Sequence, residues 1–195
     1  MATIPTLVFI RHGETDWNRD SRLQGQKDIP INDLGRRQAR RNGETVRAEF
    51  PDIDTFDFVA SPLSRTRETM EIAREAMGLQ RHGYRTDDQL KELTFGDWEG
   101  ITTEEMWKRD PASMEARNVD KWQFAPPNGE SYADLKLRID PWLDSLSRRT
   151  VVVSHGGIGR ILRIRLMNEE PIVAVSADIN QNRVFIWQDG AVRIV

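Results

Sequence analysis

The sequence predicts an α/β fold: a three-layer sandwich with a mostly parallel central sheet flanked by helices and a C-terminal hairpin at a sheet edge. Apolar or β-branched runs at residues 7–10, 56–60 and 150–154 are each followed by a stretch of helical periodicity, the alternation that builds parallel strands. The last residues, 183–188 and 191–195, read as two strands around Asp189-Gly190, a dipeptide favoured in tight hairpin turns. A chain of 195 residues suits a single domain spanning 1–195, long enough to bury about 70% of its unfolded surface.

Composition narrows the function. There is no cysteine, so disulfides and thiolate metal sites are excluded. A net charge of -3 argues against a nucleic-acid partner. No apolar run approaches the roughly 18 residues of a membrane span, and the first residues lack the basic and apolar regions of a signal peptide, so a cytoplasmic protein is expected.

The first strand, Leu7 to Ile10, runs directly into Arg11, His12 and Gly13, so charge sits where the strand must end. A neutral imidazole is a competent nucleophile, a guanidinium binds phosphate as a fork, and glycine lets the backbone turn tightly beneath the ring. Phosphate chemistry is the first reading. Residues 19–31 are polar and turn-like, with Gly25 and Asp28-Ile29-Pro30, and read as a loop. A helix follows with Asn32 or Asp33 as its N-cap, a narrow face of Gly35, Ala39, Gly43, Val46 and Phe50, and a stop at Pro51.

The second strand, residues 56–60, leads into a helix expected to open at Ser61 and Pro62 and to end at Gly78. Arg65 lies in its first turn, where unpaired N–H groups favour an anion. Arg67 points about 200° away around the axis, so both cannot face one pocket. Residues 84–86 suggest a short strand. Glu92, between Leu90 and Leu93, reads as a partly desolvated carboxyl group, an environment that suits a general acid; Asp97 and Glu99 are its rivals.

Residues 101–130 are too polar for a core of their own and read as a lid-like insertion, with a peripheral helix anchored by its aromatics as the alternative. Ser131 caps the next helix, whose stripe is Leu135, Ile139, Trp142 and Leu146, and Pro141 predicts a kink or a break. The strand at 150–154 ends on His155-Gly156-Gly157, the position that His12 holds after its own strand, and residues 158–166 read as helix. Histidines at the carboxyl ends of two strands would meet in the crevice where such sheets bind ligands. With His82 these are the only histidines, so a catalytic metal would have to take two of them from the phosphate site.

RHGET at 11–15 followed by Trp17 and Asn18, SPLSRTRET at 61–69, LKELTFGDWEG at 90–100 and SHGG at 154–157 together resemble the histidine phosphatase superfamily, also called phosphoglycerate mutase-like. The resemblance implies a phosphatase that hydrolyses small-molecule phosphomonoesters through a phosphohistidine, with no cofactor or metal. In that reading His12 attacks phosphorus, Arg11, Arg65 and a protonated His155 neutralise the phosphoryl oxygens, and Glu92 is acid and then base. Asn18, Gln24, Gly25 and Gly156 would contact the phosphate, with Thr15 assisting, and the 101–130 insertion would close over the site. A cofactor-dependent phosphoglycerate mutase is the alternative, weakened because the segment after Glu92 lacks the arginine and tyrosine of such mutases. A non-catalytic relative that binds phosphorylated ligands is the third reading.

Overall fold

The computed structural model describes residues 4–195. Among them, strand β1 (Leu7–Arg11) is central to a six-stranded sheet with β2 (Asp57–Ala60), β3 (Arg85–Thr86), β4 (Thr150–Ser154), β5 (Val184–Gln188) and β6 (Ala191–Ile194), in the order β3-β2-β4-β1-β5-β6. The first four in that order run parallel, and β5 and β6 return antiparallel at the edge. Asp189 and Gly190 both take positive φ, 52° and 79°, the conformation a two-residue hairpin turn requires.

Alternation along the strands separates two cores. Leu7, Phe9, Val59 and Val152 face α6 (Tyr132–Asp144) and α7 (Gly156–Met167), packing on Leu135, Ile139, Ile158 and Leu162. Val8, Ile10, Phe58 and Val153 face the opposite layer, α2 (Asp33–Glu49) and α3 (Ser64–Ala76), packing on Val46, Met70 and Ala73. The expected three layers follow from strands buried on both faces. In α2, Asn32 is the N-cap, accepting from the N–H of Gly35, and the small-residue face lets Gly43 lie against the Ala73 backbone of α3, where a Cβ would not fit.

Two expectations are corrected, the loop directly after β1 and the start of α3. A single helical turn, α1 (Asp16–Arg19), follows Thr15 and is closed by a reciprocal cap between Thr15 and Asn18; one turn has too few residues to show periodicity. Helix α3 starts at Ser64 rather than after Ser61, because Asp28 of the preceding loop accepts from both the N–H and the Oγ–H of Ser64. Helix α6 runs through Pro141 without a break: the carbonyl deprived of its donor belongs to Leu137, on the exposed side of the helix. Residues 101–130 hold helices α4 (Thr103–Arg109) and α5 (Pro111–Val119), whose Met106 and Met114 bury against Trp98 with Leu23, Phe95 and Phe124 alongside, so much of their cover comes from outside the stretch.

Candidate active site

Strands β1, β2 and β4 end level with one another, Arg11 opposite Ser154 and Ala60 opposite Val153. The next residues, His12, Ser61 and His155, therefore meet at one edge of the sheet. The His12 and His155 rings lie 5.3 Å apart. Beside them is a cavity of about 140 Å³ lined by every residue expected at the site except His155 and Thr15.

His12 is 3% exposed, and its Nδ1 donates to the carbonyl of Gly13 at 2.8 Å. In the neutral ring that leaves a lone pair on Nε2. Burial, then the like charges of Arg65 and Arg11, hold the ring well below the usual imidazole value, against a raising effect from the Gly13 hydrogen bond. Gly13 is required by space: a Cβ there would strike the carbonyl of Gly35, and a Cβ on Gly35 would strike that of Glu14. The N–H of Gly13 donates to Thr69 Oγ1 at 2.9 Å.

Arg65 is 1% exposed, and all three of its guanidinium nitrogens are held. Nη1 donates to the Lys27 carbonyl and Nη2 to that of Gly25, both at 2.7 Å, and Nε reaches His155 Nδ1 at 3.3 Å. Burial draws its pKa down to about 10, with Glu92, Asp28 and Glu99 opposing, so it stays cationic at neutral pH. Arg67 is exposed, as its angular position requires. The anion favoured by the first turn of α3 is Asp28 of the chain itself, so that helix end does not face the cavity unoccupied.

The expectation of a protonated His155 is overturned. Its Nδ1 faces the Nε–H of Arg65 and so must accept, which places the ring proton on Nε2, 2.8 Å from Ser61 Oγ. Burial first, then Arg65, His12 and Arg11, hold it well below the ordinary imidazole range, and at neutral pH the ring carries no charge. His82 lies on the surface near Glu71, remote from the cavity.

Glu92, flanked by Leu90 and Leu93, lies partly exposed on the cavity wall. Its carboxylate accepts from the N–H of Gly157, at 3.0 and 3.1 Å, in the first turn of α7. The rivals have other duties. Glu99 lies under Gly25, accepting from the N–H of Gln26, the hydroxyl of Thr94 and the N–H of Phe95. Gly25 has φ +52° and no room for a Cβ beside that carboxylate. Asp97 is exposed and accepts from Asn128.

Two amides are oriented by their oxygens. Asn18 Oδ1 accepts from Thr15 and Gln181, and Gln24 Oε1 accepts from the Thr15 hydroxyl at 3.0 Å. Each amide nitrogen is left without a partner among the described residues while its side chain lines the cavity. Arg11 donates Nη1 to the Ile179 carbonyl, and its buried Nε has no partner among them either. Burial, then Arg160, lowers its pKa.

Comparison with known proteins decides the family. The family model of the histidine phosphatase superfamily (branch 1) matches residues 7–183. The chain belongs to the histidine phosphatase superfamily. It is 34% identical over 170 residues to an uncharacterized phosphatase, PhoE, of Bacillus subtilis, covering 85% of this chain and 79% of that one. It is 30% identical to a 2,3-bisphosphoglycerate-dependent phosphoglycerate mutase of Azorhizobium caulinodans, over 95% of this chain and 92% of that one. The solved structure of a mycobacterial glucosyl-3-phosphoglycerate phosphatase superposes with a TM-score of 0.77 at 28% identity, covering 93% and 89% of the two chains.

The candidate site also brings together residues to which the sequence reading gave no role there: Ser61, Thr69, Gln181, Tyr132, Arg22 and Arg160. Ser61 could have been found, since it follows β2 as His12 and His155 follow their strands. Gln181 lies in a stretch without a motif, yet its amide donates to the His12 carbonyl and to Asn18 Oδ1. Nothing local marks it.

Proposed function

We propose that this protein hydrolyses small-molecule phosphomonoesters through a phosphohistidine at His12, as a single-domain cytoplasmic enzyme. The observation that carries the reading is the His12 ring, held neutral with Nδ1 engaged and its Nε2 lone pair left for a cavity walled by guanidinium groups. Nε2 attacks phosphorus, the ester P–O bond breaks, and the Glu92 carboxyl group gives its proton to the departing alkoxide. Water then attacks the phosphohistidine and gives a proton to the Glu92 carboxylate. The P–N bond breaks, and inorganic phosphate and free His12 are restored.

Arg11 and Arg65 offset the charge on the phosphoryl oxygens, and the free amide nitrogens of Asn18 and Gln24 add donors fixed in advance through Thr15. His155 acts as a neutral group that accepts from Arg65 Nε and so holds that guanidinium in place. The Gly25 loop supplies a carbonyl to Arg65, and Gly156 lets the phosphoryl group approach the start of α7. In this reading residues 101–130 are the cover over the site.

The test is a rapid acid-free quench with substrate, which should trap a base-stable, acid-labile phosphoprotein that His12→Ala does not form. Label on serine or aspartate would sink the mechanism. Similarity to phosphoglycerate mutases keeps a second acceptor in view: a parallel assay with 3-phosphoglycerate and its bisphosphate primer separates transfer to water from transfer to a sugar-acid hydroxyl.

A further inference from the structure

The connector between α8 (Pro171–Ala174) and β5 reaches the cavity groups from behind. Its Ala177 carbonyl accepts from Arg160 Nε at 3.1 Å, and its Ile179 carbonyl from Arg11 Nη1 at 2.8 Å. Gln181 does so with a side chain: Nε2 donates to the His12 carbonyl at 3.0 Å and to Asn18 Oδ1 at 3.1 Å. The backbone from which it reaches is tied to α2, where buried Asn42 donates Nδ2 to the Gln181 carbonyl at 2.9 Å. The pairing of β1 with β5 stops at Ile10 opposite Val184, so the His12 carbonyl, beyond the end of that ladder, is served by this side chain.

The polarity of these contacts follows from what each partner can do. A backbone carbonyl only accepts, so the group that Gln181 turns toward His12 must be its NH2. The second N–H of that nitrogen meets Asn18, which must therefore present its oxygen. Asn18 Oδ1 also receives the backbone N–H of Thr15, at 3.1 Å. With two donors on its oxygen, the Asn18 amide cannot turn over without setting N–H against N–H. Its Nδ2 is thereby held away from both, on a side chain that lines the cavity.

We propose that Gln181 is a positioning residue for phosphoryl binding: anchored on the His12 carbonyl, it holds the Asn18 amide with its nitrogen toward the phosphoryl group and keeps that donor in register with the backbone of the nucleophile. The inference rests on the phosphatase reading of the His12 site. Gln181 does not itself line the cavity and acts through Asn18.

The test is a double-mutant cycle between the two residues, read as kcat/KM and as calorimetric binding of inorganic phosphate. Asn18→Ala should weaken both about tenfold, the worth of one hydrogen bond to a charged group. Gln181→Met, similar in length but without donors, should weaken both about three- to fivefold, and by less than about twofold in the Asn18→Ala background. Gln181→Glu reverses the polarity and draws Asn18 Nδ2 away from the cavity. It should therefore lose more than Gln181→Met when Asn18 is present, and no more than Gln181→Met in the Asn18→Ala background. Losses that simply multiply in the double variants would overturn the proposal, as would an excess loss of Gln181→Glu that persists without Asn18, which is direct repulsion of the phosphate. A merely structural role would lower the melting temperature and leave the affinity for phosphate unmoved, and that result also overturns it. Phosphate binding needs no turnover, so a protein that shows the coupling yet hydrolyses no ester counts against the phosphatase reading alone.

Discussion

The carboxylate of Glu92 rests on the backbone N–H of Gly157, and a methyl group at Gly157 would occupy the place of Glu92 Oε1. A glycine in the first turn of α7 thus seats a residue 65 positions away in sequence. Gly157→Ala should displace the carboxylate and lower kcat by about 10- to 100-fold, a share of what general acid–base catalysis contributes. The other atoms that the new methyl meets are the ends of Leu93 and Leu135, which can shift. Thermal unfolding should therefore change little, and steady-state kinetics beside a melting curve checks both.

Glu92→Gln separates the acid role from binding. An alkyl alkoxide needs a proton as it departs, whereas p-nitrophenolate leaves without one. Single-turnover phosphorylation of the variant should slow far more for alkyl phosphates than for p-nitrophenyl phosphate. Equal losses would remove Glu92 from the acid role. Gly157→Ala should show the same dependence on leaving group, in weaker form.

Thr15 is fully buried; its hydroxyl donates to Gln24 Oε1 and its backbone N–H to Asn18 Oδ1. Thr15→Val keeps the shape and removes the hydroxyl. It also removes the cap of α1, at a cost of about 0.5–2 kcal/mol by urea unfolding. With Gln24 no longer oriented, and Asn18 still held by the Thr15 N–H and Gln181, KM should rise several-fold while kcat falls less. A pure kcat loss would mean that the amides act only in the transition state.

His12 and His155 give stability a particular pH dependence. Both are held neutral in the fold, with values well below that of the unfolded chain near 6.5. Below 6.5 the unfolded chain therefore binds more protons than the folded one. The contribution of these two groups is complete above pH 6.5 and is lost as pH falls from there toward the folded values. Each histidine should add a slope of about 1.4 kcal/mol per pH unit within that window. Urea unfolding between pH 7 and 5 measures the slope, and His155→Gln should reduce it by about one proton. A protonated His155 would give the opposite sign for its share.

The sequence by itself determined the sheet, most helix boundaries and the positions of the chemistry. Strand alternation and β-branched runs state which residues are buried, and His12 and His155 stand immediately after two such runs, so a parallel arrangement brings them together whatever surrounds them. The angular separation of Arg65 and Arg67 within one helix likewise needs no tertiary knowledge. Only the tertiary structure decided which group satisfies which. Asp28 occupies the first turn of α3, Glu99 supports the Gly25 loop, and Glu92 is seated on the N–H of Gly157 in α7. The charge of His155 was decided in the same way, by an Arg65 donor 90 positions distant in sequence. The reason is physical: periodicity reports the face of an element on which a side chain lies, while charge state, capping and support depend on partners that the chain brings near only by folding.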